Sequence, residues 1–181
     1  MKYPKTLALI IISTLFVNLL GAGTLTGNIK FDSEKVKKLA NKKAKEQICG
    51  EVKSPIPYES VAVNEKGDFQ NVMVWLKSDT LKGEVPKDPV VLSQVGCRYT
   101  PHIFTLIKGQ ELKIKNNDKE MHNVNSQSSL NPFNAGQPAG TPDIVKTWSK
   151  AEDPFKIKCD VHGWMSAYGI VLDHPYVAVT D

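Results

Sequence analysis

Beyond residue 59, apolar and polar positions follow a period of two over most short segments, which is the pattern of β-strands with one buried face. Turn residues, not helical stretches, separate these segments, so the pattern predicts an antiparallel β-sandwich. Residues 126–141, rich in Asn, Ser, Gly and Pro, are predicted to form the longest irregular segment. The predicted strands lie at 61–63, 72–76, 90–92, 103–107, 112–115, 144–148, 155–159 and 168–172.

The segment before these strands has a different pattern. Residues 24–31 alternate loosely enough to predict a strand, and residues 33–47 follow a helical period. Six lysines lie off the apolar face of this predicted helix. They form either a docking patch for an acidic partner or an ordinary solvated face.

The first 23 residues have the layout of an export signal. Lys2 and Lys5 precede an apolar run over 6–20, and three small residues follow at 21–23. The run is shorter than the roughly 20 residues of a membrane span. We therefore expect 1–23 to be a signal peptide or an uncleaved N-terminal anchor, with the rest of the chain periplasmic or otherwise extracytoplasmic.

The length of 181 residues allows one domain with an elaboration. We expect residues 24–88 to form N-terminal strands and the lysine-rich helix, and residues 89–181 to form the core. The net charge is +4, and removal of the two lysines in the first 23 residues leaves +2. So mild an excess does not indicate a nucleic-acid partner.

The candidate chemistry lies in the strand Phe155–Cys159 and the loop after it. A period of two places Cys159 in the core, and His162 and Met165 follow within seven residues. His122 comes from another strand end, after a polar turn over 116–120. One thiolate, two imidazoles and a thioether suit a mononuclear copper ion that cycles between two oxidation states.

Other interpretations of these residues are weaker. A buried thiol, a core histidine and a core methionine could be neighbours by accident, but this composition gives only about 0.0015 such spacings by chance. Structural zinc favours four Cys or His ligands, and catalytic zinc favours an open position, so Met165 serves neither. A binuclear copper centre needs a second cysteine near Cys159, where the chain has Phe155 and Gly163.

The chain has three cysteines. If Cys159 binds the metal, Cys49 and Cys97 are free to form a disulfide in an exported protein. The alternative is two unpaired buried thiols, since the sequence does not show whether the two residues come within bridging distance.

These motifs resemble those of the cupredoxins, in particular the amicyanin, pseudoazurin and plastocyanin type. The likeness is closer to a group of bacterial cupredoxin-domain proteins loosely labelled methylamine utilisation proteins, and it covers about residues 89–180. The motifs that carry it are Gln94-x-Gly-Cys97-x-Tyr99-x-Pro101-His102, Lys158-Cys-Asp-Val-His-x-Trp-Met-x-Ala-Tyr168 and Asp173-His-Pro-Tyr176-x-Ala-Val-Thr180.

The resemblance implies an all-β, cupredoxin-like Greek-key β-sandwich, here with an N-terminal helical elaboration. It also implies His122, Cys159 and His162 as equatorial ligands of one type 1 copper, with Met165 as the axial ligand. Asn123 would tie the two ligand loops together.

The loop departs from the small cupredoxins at one position. Val161 stands where proline often precedes the loop histidine, and we hypothesise that its N–H donates to the Cys159 thiolate and lowers the reduction potential. Trp164, with Gly163, is either a contact for a partner or an anchor of the loop.

The expected function is single-electron transfer between redox partners, such as a cytochrome or an oxidoreductase, without substrate turnover. The alternatives are a periplasmic copper carrier or chaperone, which would exchange the ion readily, and the electron-entry subunit of a larger oxidoreductase. Membrane contact is expected only through an uncleaved N-terminal segment.

Overall fold

The computed structural model describes residues 23–30, 46–50, 52–55 and 61–181. The predicted export segment up to residue 22 and residues 33–45 of the predicted helix lie outside these ranges. Glu46 and Gln47, the end of the predicted helix, lie in a strand instead. That strand turns back at Gly50, whose φ of 55° favours glycine. In the described ranges, no helix is long and apolar enough to cross a membrane.

The regular secondary structure of the described ranges consists of β-strands alone. In chain order they are β1 (Glu46–Cys49), β2 (Val52–Pro55), β3 (Ala62–Val63), β4 (Phe69–Gln70), β5 (Met73–Trp75), β6 (Val90–Gln94), β7 (Tyr99–Thr100), β8 (Ile103–Ile107), β9 (Glu111–Asn116), β10 (His122–Ser126), β11 (Phe133–Gln137), β12 (Ile144–Thr147), β13 (Glu152–Lys158), β14 (Ser166–Leu172) and β15 (Val177–Val179).

Two sheets form the sandwich. The five-stranded sheet has the order β11-β10-β13-β14-β8, and the four-stranded sheet has the order β12-β9-β6-β7. Three two-stranded sheets, β1-β2, β3-β4 and β5-β15, and an isolated bridge between Lys30 and Asp68 complete the described β-structure.

The inward faces of the two larger sheets form one core. Leu92 and Ile114 of the four-stranded sheet belong to the same buried cluster as Val124, Phe155 and Ile157 of the five-stranded sheet. Burial of such side chains stabilises the fold by about 1.5–3 kcal/mol each. The all-β sandwich predicted from the sequence is therefore confirmed.

The structure corrects three details of the prediction. The sheets are mixed, because β6 pairs with β9 and β14 pairs with β8 in parallel. The segment 126–141 is not irregular throughout, since β11 lies within it and pairs with β10. The strand predicted at 72–76 belongs to neither of the two larger sheets: β5 pairs with β15, and Val74 is exposed.

The register of the five-stranded sheet brings the candidate ligands to one edge. Antiparallel pairing of β10 with β13 places Asn125 opposite Lys158. The start of β10, at His122, therefore lies near the end of β13, where Cys159 follows. The loop from Cys159 to Met165 then leads directly into β14.

Candidate metal centre

Two histidines and a cysteine meet at this edge. The Nδ1 atoms of His122 and His162 are 3.1 Å apart, and His162 Nδ1 is 4.0 Å from Cys159 Sγ. The side chains of His122 and Cys159 also interact, since each shifts the pKa of the other. His122 and Cys159 are buried, whereas His162 is partly exposed. The structure thus brings three of the four predicted ligands together.

These separations fit one metal ion. Two nitrogens that each bind an ion at about 2.05 Å lie about 2.9 Å apart at a right angle and about 3.5 Å apart at 120°. The observed 3.1 Å falls between these values. Sulfur and nitrogen on one ion lie at most about 4.4 Å apart, which accommodates the separation of Cys159 from His162.

The surroundings of Cys159 favour a thiolate. Burial raises the pKa of the thiol, but the hydrogen bond with His122 and the N–H groups of His162, Asn123 and Val161 together lower it below its usual range. The N–H groups of His162 and Asn123 lie 3.3 and 3.4 Å from the sulfur. The Val161 N–H has the smallest effect on the pKa of the thiol, so His162 and Asn123 are the main backbone donors.

The two imidazoles differ in their proton affinity. Burial lowers the pKa of His122, but hydrogen bonds to Cys159 and Asp118 outweigh that effect and raise it. Burial and the charge of His122 lower the pKa of His162. The pKa shifts of Cys159 and His122 both favour the charged forms of these side chains, and a metal ion would bind them in their deprotonated forms.

Asp118 fixes the ring of His122. Its Oδ2 lies 2.8 Å from His122 Nε2 and accepts the Cys97 N–H at 2.9 Å, while its Oδ1 accepts the Gly96 N–H at 2.7 Å. With Nε2 donating to the carboxylate, Nδ1 is left facing the site. Sequence reasoning missed Asp118; its position four residues before His122, in a polar turn, is the only local signal for it.

Asn123 links the two ligand segments. Its N–H points at Cys159 Sγ, and its Oδ1 accepts the Asp160 N–H at 3.1 Å. Its side-chain amide donates to Asn134 Oδ1, and its carbonyl accepts from the hydroxyl of the buried Tyr99. These bonds make the connection that the family resemblance implies for Asn123.

Met165 and Trp164 lie at the end of the ligand loop. Met165 is buried, its N–H donates to the His162 carbonyl at 2.9 Å, and its carbonyl accepts the Cys159 N–H at 3.2 Å. Trp164 donates its indole N–H to the Cys97 carbonyl at 3.1 Å, and its ring centroid is 5.2 Å from that of His162. Trp164 therefore anchors the loop, whereas Gly163 is exposed with open space beside it.

The structure contains the expected disulfide between Cys49 and Cys97, with Cα atoms 5.7 Å apart. Sequence reasoning did not place this bond beside the metal centre. Cys97 Sγ and one ring nitrogen each of His122 and His162 nevertheless lie within 4.8 Å of one another. The Gly96–Cys97 turn brings the sulfur there, and nothing in the local sequence marks that approach.

No protein-family model and no curated protein match this chain. Among solved structures, it is similar to a novel purple cupredoxin from Nitrosopumilus maritimus, at 19% identity and a TM-score of 0.39, over 45% of this chain and 98% of that one. It is also similar to an amicyanin variant in a reduced Cu(I) form, at 18% identity and a TM-score of 0.40, over 49% and 86%.

A third similar structure is a copper-containing nitrite reductase from Thermus scotoductus. The identity is 18% and the TM-score 0.42, over 59% of this chain and 26% of that one. This chain therefore spans about a quarter of the reductase. With two facing mixed sheets and a Cys-His-Met loop between adjacent strands at one edge, this chain has the all-β sandwich fold that the cupredoxin resemblance of its motifs implies.

Proposed function

We propose that this protein binds one mononuclear copper ion through His122, Cys159, His162 and Met165, and that it carries single electrons between redox proteins. The observation that carries the proposal is the position of His162 Nδ1, which lies 3.1 Å from His122 Nδ1 and 4.0 Å from the buried, hydrogen-bonded sulfur of Cys159, both separations that ligands of one ion can have. When bound, copper would supply a one-electron couple, and this donor set suits both of copper's oxidation states.

The residues around the site limit how much it moves when an electron arrives. Asp118 holds the ring of His122, and Asn123 holds the Cys159 loop against β10. The N–H groups that point at the sulfur stabilise its negative charge in either oxidation state. A site fixed in this way needs little reorganisation, which favours rapid electron transfer.

His162 provides the route for the electron. Of the four proposed ligands, it is the one that is not buried. Val161, next to it, is 53% exposed, and Met121, next to His122, is 49% exposed. These apolar side chains offer a weak, transient docking surface for a redox protein such as a cytochrome or an oxidoreductase.

The burial of the site argues against a copper carrier as the main role. His122, Cys159 and Met165 are each no more than 2% exposed, so an ion held by them would exchange slowly. A role as the electron-entry subunit of a larger oxidoreductase uses the same chemistry. Residues 1–23 support export to an extracytoplasmic compartment as part of the proposal.

Voltammetry and a chelator challenge on the copper-loaded protein test this function. We expect one copper per chain, a reversible one-electron couple, and retention of the metal in both oxidation states against a chelator. Rapid loss of copper to the chelator would support the carrier instead. Oxidation or reduction of a small substrate by the isolated chain would support an enzyme.

A further inference from the structure

The Cys49–Cys97 disulfide lies beside the two histidines of the proposed copper site. Cys97 Sγ lies within 4.8 Å of a ring nitrogen of both His122 and His162, and Cys97 and His122 are fully buried. This bound is close to the greatest separation of sulfur and nitrogen on one ion, about 4.4 Å. As a disulfide sulfur, Cys97 is a poor ligand; as a thiolate, it would be a strong one.

The backbone of Cys97 is held in place independently of the disulfide. Its N–H donates to Asp118 Oδ2, and its carbonyl accepts the indole N–H of Trp164. Gly96, before it, donates to the other oxygen of Asp118. Cys97 itself has a φ of 50°, a left-handed conformation that is uncommon outside glycine and occurs often at functional sites.

Cys49 is held differently. It ends β1, and in the described ranges β1 is hydrogen-bonded as a strand to β2 alone. Cys49 is itself buried in the core, so reduction of the disulfide would remove the covalent tie of the β1-β2 hairpin, whereas Cys97 would stay beside the imidazoles. The bond thus keeps the second sulfur out of the ligand set.

We propose that, once the disulfide is reduced, Cys97 is an alternative thiolate ligand for a metal ion held by His122 and His162. This inference rests on the proposed use of those imidazoles as ligands. A dithiol reductant would supply two electrons and two protons: its own thiols become a disulfide, and Cys49 and Cys97 become thiols. Metal binding then displaces the proton of Cys97.

The disulfide would then select the chemistry of the site. While it is intact, the histidines serve Cys159 and Met165, a donor set suited to copper electron transfer. When it is reduced, a buried thiolate competes for the same imidazoles and offers a Cys-His set that suits zinc or cuprous ion. Reducing conditions would therefore convert an electron carrier into a metal-holding site.

Cobalt(II) is the probe for this proposal, because it reports thiolate ligation by an intense charge-transfer band and does not oxidise thiols. The protein is the full chain with Cys159→Ser, so that any thiolate band must come from Cys49 or Cys97. A phosphine reductant opens the disulfide, taking oxygen from water to form the phosphine oxide and leaving two thiols.

In cobalt-loaded Cys159→Ser we expect no thiolate band before the disulfide is reduced. After reduction we expect a band comparable in intensity with that of the cobalt-loaded wild-type protein whose disulfide is intact. The matched control, Cys97→Ser with Cys159→Ser, retains Cys49 as its only thiol and should show no band. A band of equal intensity in this control, or none in the reduced Cys159→Ser protein, overturns the proposal.

Cys49→Ser with Cys159→Ser asks the same question without a reductant, since it leaves Cys97 free throughout. Its far-ultraviolet circular dichroism shows whether the sandwich is folded, and a folded protein without the band again overturns the proposal. If this variant fails to fold, the reduced Cys159→Ser protein decides. Failure of the proposed copper site can be told apart from failure of this proposal, because it would remove the thiolate band from the cobalt-loaded wild-type protein whose disulfide is intact.

Discussion

Asp118 offers the sharpest test of how the chain tunes its proposed metal. Asp118→Asn removes one negative charge but keeps an oxygen that can accept from His122. The carboxylate is 13% exposed, and His122 is fully buried. Across the imidazole, the charge lies about 7 Å from a metal on Nδ1, a separation at which Coulomb's law gives about 0.6 kcal/mol in water and about 2.4 kcal/mol at an effective dielectric constant of 20.

The oxidised metal carries one more positive charge than the reduced metal, so loss of the carboxylate destabilises the oxidised form more. For a one-electron couple, those energies correspond to a rise in reduction potential of about 25–100 mV. Weaker positioning of His122 should also lower metal affinity by about 10- to 100-fold.

Voltammetry of copper-loaded protein measures the potential, and competition with a chelator measures the affinity. Asp153→Asn is the matched control, because it removes the same charge from an exposed position near the opposite end of β13. An unchanged or lower potential in Asp118→Asn, or an equal rise in Asp153→Asn, would refute the reasoning.

Three further predictions concern stability. Gly169→Ala should destabilise the fold by about 1–3 kcal/mol, because a Cβ there would lie 2.5 Å from an atom of the Phe104 ring. Urea unfolding measures the change in stability. The control is Gly163→Ala, which should leave stability unchanged because there is open space beside Gly163. Glu152→Gln should cost about 1–3 kcal/mol, because the carboxylate accepts hydrogen bonds from residues 128–131; equal unfolding midpoints would contradict this. Burial raises the pKa of Glu152, but these hydrogen bonds outweigh that effect and lower the pKa. The stabilisation by the Glu152 carboxylate is therefore complete above about pH 4.3 and declines as the pH falls through the pKa of the folded state. The difference in unfolding free energy between wild type and Glu152→Gln should narrow in acid, and a widening difference would refute the assignment.

The sequence was sufficient to predict the strand and loop that carry Cys159. Both signals are local, since the strand shows a period of two and the three ligand residues of the loop lie within seven positions. It could not reveal β11, since Asn134, Ala135 and Gly136 show no apolar alternation and the strand is defined by its pairing with β10. The parallel pairing of β6 with β9 was equally hidden, because it depends on how distant segments connect and not on either segment alone.

The surroundings of the ligands were the least predictable part of the site. Asp118 acquires its role from the Gly96–Cys97 turn, about twenty residues away in sequence. The Cys49–Cys97 disulfide could be anticipated from cysteine number, but its approach to the histidines is set by that same turn. Such features arise from packing between elements, which residue patterns do not encode locally.

The visible absorption spectrum of the copper(II)-loaded chain, recorded beside Cys159→Ser, tests the central claim most directly. The convergence of Cys159, His122 and His162 predicts an intense thiolate-to-copper charge-transfer band that bleaches on reduction, returns on reoxidation and is absent from Cys159→Ser. A pale spectrum that is the same in both proteins would contradict a copper ion bound to Cys159.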